Sequence, residues 1–327
     1  IPTGSFYIGG PSGTNRYLHD PNDVNAGILI QSEAAIPASS FTVTGTLSYD
    51  DDIPASYPKG YNSFYCMKYK ISQRQYVEFL NTLNTTQQNE RVESVLSQSI
   101  INRFVMCDNF APQGRNGIYF VGTSDEGNYL FGCDLNNNGV INQVDDGQEI
   151  SCNYLNREDY LAYLDWSALR VPTRLEIWKI CRGPEMVIDS EMAWGSNIVN
   201  EININDVTNL DTSSEMLPTP VNGPMYEDAP LRTGIFANSS SNRFNSGATY
   251  YGVMDMTIGM LEYCTGLRGD DLNYIGNLGD GELTVIGESN EIDFLLSQIY
   301  GQSNINVLDG VLVVSRADFT TGGRGVR

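Results

Sequence analysis

The sequence predicts an α+β fold with little regular secondary structure. Three observations predict it. Two stretches, at roughly 156–166 and 173–182, carry helix start and stop signals. The apolar alternations elsewhere are short, as in brief strands. Between them run polar segments rich in Gly, Asn, Ser and Asp, longer than ordinary connections.

The elements follow in chain order. IPTGSFYIGG (1–10) alternates and ends in glycines, as an edge strand and turn do. Residues 11–62 are rich in Pro, Asp and Ser and read mostly as loop, with a strand over FTVTGTLSY (41–49). FYCMKYKIS (64–72) reads as a strand leading into a helix. Ser72 and Gln75 have capping-box spacing, and Tyr76, Phe79, Leu80 and Leu83 follow as an i, i+3, i+4, i+7 stripe. That stripe reads as core. Residues 90–132 hold a short helix and strands around GIYFVG. Thr173 and Glu176 repeat the capping-box spacing, Pro172 precedes the cap, and Gly183-Pro184 stops the helix. From about 185 to 250 the pattern is irregular. Strands are expected again near TYYGVMDM (249–256), followed by VLDGVLVVSRADF and the tail GGRGVR. No repeat or linker divides the chain, so 1–327 reads as a single domain.

Composition narrows the function classes. Nineteen Lys and Arg against 40 Asp and Glu give a net charge of −21. Such a chain repels nucleic acid and anionic membrane surfaces. It suits high solubility or cation binding. No apolar run is long enough to cross a membrane, so no membrane insertion is expected. The chain starts at Ile1 without Met, which reads as a processed or truncated start. His19 is the sole histidine, and none of the six cysteines forms C-x-x-C, which argues against a Cys/His zinc site. An even cysteine number fits an oxidising compartment; buried free thiols are the alternative.

One loop reads as a calcium site. D-L-N-N-N-G-V-I-N-Q-V-D starts at Asp134. It puts oxygen-bearing side chains at the first, third, fifth, ninth and twelfth positions of an EF-hand-type loop: Asp134, Asn136, Asn138, Asn142 and Asp145. Gly139 takes the sharp turn, Val140 offers a backbone carbonyl, and Ile141 anchors the loop to the core. Asp closes the loop where EF-hands use Glu, as in dockerin modules. The alternative is an Asn/Asp-rich turn held by its own side-chain to backbone hydrogen bonds. Cys133 and Cys152 bracket the loop and are placed to close it as a disulfide. Two acidic pairs, Asp145-Asp146 and Asp270-Asp271, read as solvated or ion-binding rather than catalytic.

YLDWSALRVPTRLEIWKICRG (163–183) resembles the R-L-P-T-E-A-E-W-E-x-x-x-R-G signature of the formylglycine-generating enzyme (sulfatase-modifying factor) family. Arg170, Pro172, Thr173, Glu176 and Arg182 carry the match; Arg174 departs from it. IPTGSFYIGG, FYCMKYKISQRQYVEFLN and TYYGVMDMTIGMLEYC are similar to three further family segments in the same order, and the closing GVR to its GFR. The resemblance implies a variant of the C-type lectin-like fold, with small twisted antiparallel sheets, two to four helices and long loops. It points to secreted or cell-surface bacterial proteins, in which the sequons at Asn84 and Asn238 would be chance.

The departures shape the functional expectation. The family's oxidases hold copper with two cysteines near the C-terminus, and residues 265–327 contain none. Iron-using relatives need a histidine cluster. Neither copper nor iron is expected, and the chain reads as a non-enzyme. Cys264 reads as a structural thiol. The resemblance also implies a weak second calcium site at Glu262, with Gly259 where the family has Asn. The expected role is a non-catalytic scaffold that presents loops to a protein partner or self-assembles, stabilised by calcium, with glycan binding possible. The alternatives are an enzyme with unrecognised chemistry and a lectin-like receptor-binding protein.

Overall fold

Local side-chain chemistry sets the four α-helices of the described residues: α1 (Gln73–Leu80), α2 (Thr85–Glu90), α3 (Arg157–Trp166) and α4 (Arg174–Arg182). Each starts on a complete capping box: Ser72 with Gln75, Asn84 with Gln87, Asn156 with Asp159, and Thr173 with Glu176. In each, two of the backbone N–H groups orphaned at a helix start find acceptors. α4 ends at Gly183, whose φ of +67° suits glycine. The computed structural model describes residues 1–10, 18–23, 26–43, 51–97, 101–107, 110–188, 191–200, 204–217, 222, 230–256, 260–291, 299–302 and 321–327. The expected VLDGVLVVSRADF segment and Gly259 lie outside them.

The strands are short and form small separate sheets, so the chain is α+β. β1 (Phe6–Ile8) pairs antiparallel with β3 (Ile28–Ile30), and β2 (Leu18–His19) with β4 (Thr42–Val43). β5 (Arg103–Phe104), β6 (Ile118–Thr123) and β7 (Tyr129–Cys133) make an antiparallel meander with an irregularity between Phe120 and Gly122. β8 (Leu261–Thr265) is central in a fourth group. It runs antiparallel to β9 (Ile299–Gln302) and parallel to β10 (Thr321–Gly322), a departure from the all-antiparallel expectation.

Two expectations about strands are corrected. Residues 249–256 form a turn, with Gly252 at φ +78° and Asp255 at φ +65°. Residues 64–72 form no regular strand, but they hold a ladder. The amides of Tyr65, Met67 and Ile71 donate to the carbonyls of Arg327, Gly325 and Gly323.

One large apolar cluster runs from Phe6 to Val326 and packs helices against sheets. The predicted stripe of Tyr76, Phe79, Leu80 and Leu83 is fully buried in it. Tyr163 and Trp166 of α3 pack edge-on or tilted against Phe79. A smaller cluster of Leu217, Leu231, Ile235 and Phe236 sits apart. Among the described residues no helix is long and apolar enough to cross a membrane.

Candidate functional site

The loop after β7 is built on Asp134. Its carboxylate, fully buried, accepts from the backbone N–H of Asn138 and of Gly139, both at 3.0 Å. Asn136 Oδ1 also accepts from Asn138 N–H at 3.0 Å, and Asn138 Oδ1 from Val140 N–H at 2.9 Å. Gly139 takes φ +82°, the left-handed turn the motif requires of it. Asp134, Asn136 and Asn138 are therefore brought together as expected. Gln143 joins them: its Oε1 accepts from Asn138 Nδ2 at 2.6 Å and from Asn136 Nδ2 at 3.4 Å.

The second half of the loop differs from the expectation. Asn142 turns back to β7, exchanging bonds with Cys133: Asn142 N–H donates to its carbonyl at 2.7 Å, and Asn142 Oδ1 accepts its N–H at 3.0 Å. That closure commits the Asn142 side-chain oxygen to the β7 backbone. Val140 is an exposed side chain. Asp145 is only half-buried, whereas Asp146 is wholly buried. Asp146 Oδ2 accepts Gln143 N–H at 2.6 Å, while its Oδ1 finds no hydrogen-bond donor. Burial pushes the Asp146 carboxyl above the usual range, and the neighbouring charges of Asp134 and Asp145 push the same way. The motif spacing pointed one residue short of the inward-facing carboxylate. Among the described residues, no three Asp, Glu, His or Cys side chains converge as a ready metal cluster. The donors here are two carboxylates and several amide oxygens.

Residues 144–151 leave this loop as a strap. Ser213 N–H donates to Val144 O at 3.3 Å, Gly147 N–H to Asp211 O at 3.1 Å, Thr233 N–H to Glu149 O at 2.9 Å, and Ser151 N–H to Leu231 O at 3.1 Å. Arg115 clamps the far side, donating to Asp211 Oδ1 at 2.9 and 3.0 Å and to the buried Glu215. Nothing in the spacing of Arg115, Asp211 and Glu215 announces this clamp.

The expected disulfide is not formed. Cys133 and Cys152 are buried free thiols, as are Cys181 and Cys264. Burial raises all four thiol pKa values, that of Cys264 to about 12. An acid raised on folding contributes stability that is present below its unfolded value and lost as pH rises toward its folded one. In reductant, unfolding free energy should therefore fall above pH 9, each such thiol contributing about 1.4 kcal/mol per pH unit. Denaturant titrations from pH 7 to 11 read this directly; a flat profile would show that the thiols are not held buried.

Glu262 also departs from expectation. It is buried, and its two oxygens take Arg324 through Nε and Nη2 at 2.6 and 2.8 Å. Lys70 Nζ lies 3.1 Å from Oε1. Two cations saturate the carboxylate, so it is not a calcium ligand. Burial acts to raise the Glu262 carboxyl, but Arg324 and Lys70 overcome it and hold it below the usual range. Asp255 stands next to this cluster with its carboxyl pushed up by burial, accepting Gly234 N–H at 2.7 Å.

The helix-pair motif is a second buried charge cluster. Arg170 grips Glu176 with both amino groups, at 2.8 and 2.6 Å. Thr173 N–H adds a bond to Glu176 Oε2 at 2.9 Å, and Thr173 Oγ1 donates to Pro58 O at 2.9 Å. Pro172 O accepts from Thr265 N–H at 3.1 Å. Arg182 pairs with Glu191 and donates to Tyr7 O at 2.8 Å. Comparison with known proteins found no matching protein-family model and no matching curated protein.

Proposed function

We propose that the chain is a non-catalytic, secreted or cell-surface scaffold module of the formylglycine-generating-enzyme type, with the C-type lectin-like fold, that presents loops to a protein partner or to copies of itself. One observation carries this reading. The segments that bear the resemblance meet in space through structural bonds. Arg170 and Cys66 both bridge Val326, Thr173 bridges Thr265, and Met254 N–H donates to Lys68 O at 2.9 Å. Five charged residues of these segments are spent on one another in the Arg170–Glu176 and Arg324–Glu262–Lys70 clusters. They hold loops in place, which is what a scaffold requires of them.

The loops so held expose apolar side chains. Val140 and Val144 are exposed on the Asp134 loop, and Leu210 and Met216 on the turn bonded to it through Ser213. Exposed apolar loop residues are the material of a protein contact. Calcium at the Asp134 loop would stabilise this edge.

Two measurements test the reading. In the first, a thermal melt should rise by several degrees in calcium relative to chelator, the linkage expected of a ligand bound only by the folded state. In the second, cross-linking in the native assembly should map a neighbour, or a second copy, to residues 140–144 and 208–216. Turnover of a small substrate with an ordered copper or iron centre would sink the scaffold reading.

A further inference from the structure

The calcium reading above leaves open which groups supply the charge, and the loop answers this. We propose that Asp134 and Asp146 are the paired carboxylates of a divalent-cation site of the calcium type, completed by amide oxygens of Asn136, Asn138 and Gln143, with Asp145 outside it. The inference rests on that reading and deepens it.

The observation that points to a ligand is the side chain of Asp146. It is wholly buried, its Oδ2 is tied to Gln143 N–H at 2.6 Å, and its Oδ1 has no donor. The charged groups facing it are Asp134 and Asp145, and the Asn136 backbone N–H reaches the same carboxylate. A buried carboxylate oxygen facing like charge lacks a positive partner. Gln143 Oε1 draws the Asn136 and Asn138 amides to one point, and their Oδ1 atoms, each accepting one backbone N–H, keep a second lone pair for a cation. Two carboxylates with neutral oxygen donors suit a hard cation such as calcium rather than a thiolate- or imidazole-seeking metal.

The site also explains the strap. Asp146 is followed directly by Gly147, whose N–H donates to Asp211 O, and the strap then bonds Thr233 and Leu231. A cation on Asp146 pins the start of this strap, and with it the turn that carries Leu210 and Met216. Bound cation therefore orders the apolar edge as well as its own loop.

Calorimetric titration of the full chain with calcium chloride tests this, with Asp146→Asn, Asp134→Asn and Asp145→Asn beside the native protein. One ion per chain is expected. Asp146→Asn and Asp134→Asn should each weaken it by more than about tenfold, as loss of a ligand does. Asp145→Asn should stay within about threefold, because a partly solvated charge near the site is screened. Loss in Asp145→Asn with Asp146→Asn unaffected would overturn the assignment while leaving calcium in the loop. No binding by the native chain, or several weak ions indifferent to all three variants, would remove the calcium reading as well. Hydrogen exchange on the native protein gives a readout that needs no variant. Calcium should slow exchange of the Gly147, Ser213 and Thr233 amides, and unchanged exchange there would overturn the coupling.

Discussion

Glu262→Gln should lower the unfolding free energy by about 3–5 kcal/mol, the cost of removing one side of a buried ion pair. The size follows from what is left behind. Arg324 is fully buried and Lys70 nearly so, and both face the Glu262 carboxylate. The remaining bonds of Arg324 are to neutral carbonyls: Met254 O at 2.7 Å, Lys68 O at 3.2 Å and Met67 O at 3.3 Å. Lys70 keeps Met260 O at 2.9 Å. Carbonyls solvate a cation but do not cancel its charge.

Lys70 has an escape that Arg324 lacks. Burial already lowers its pKa, with Glu262 opposing, so removal of that carboxylate favours the neutral amine. Adding Lys70→Met to Glu262→Gln should therefore recover part of the loss, a coupling that a double-mutant cycle measures. The acid limb should change too. A carboxyl depressed on folding contributes stability that is present above its unfolded pKa and lost as pH falls through its folded one. Glu262→Gln should thus flatten the decline of stability below pH 4.5. A loss under about 1 kcal/mol in urea titrations would mean that the cluster is solvated rather than buried.

The helices and their caps were legible because their signals are local. Ser72 with Gln75 and Thr173 with Glu176 act across three residues, and the Tyr76 stripe repeats within one short helix. β3 was missed because Ile28–Ile30 gains strand character from β1, some twenty residues away, within a segment whose composition reads as loop. The turn at 249–256 hid behind apolar residues. Its Asp255 adopts a left-handed backbone that no alternation pattern reveals. The Asp134 loop was half legible. Its first half follows the motif, but Asn142 closes back onto Cys133, and the next inward carboxylate becomes Asp146. Glu262 was misread because its partners come from residues 70 and 324, far outside any local window.

The second large effect is expected at Glu176. Its carboxylate is the acceptor for both amino groups of Arg170 and for the N-cap amide of Thr173. Burial works against the Arg170 charge, and Glu176 overrides it, holding the guanidinium firmly protonated. Glu176→Ala therefore strands a charge that cannot be discharged. About 3–5 kcal/mol follows from the broken pair, and about 1 kcal/mol more from the lost half of the capping box. Thr173→Ala removes hydroxyl bonds but leaves the ion pair intact, so it should cost only about 1–2 kcal/mol. Arg170→Lys should not behave as a conservative change, because an ammonium cannot fill both bonds of the fork. The damage should also be directional. Arg170 and Val326 exchange both backbone bonds, at 2.9 and 3.0 Å, and the residues on either side of Val326, Gly325 and Arg327, bond to Met67 and Tyr65. Hydrogen exchange in Glu176→Ala should accelerate first at Tyr65, Met67 and Val326, ahead of the α1 amides. If Glu176→Ala cost no more than Thr173→Ala, or if exchange rose evenly along the chain, the Arg170–Glu176 pair would not be what ties the helix pair to the rest of the fold.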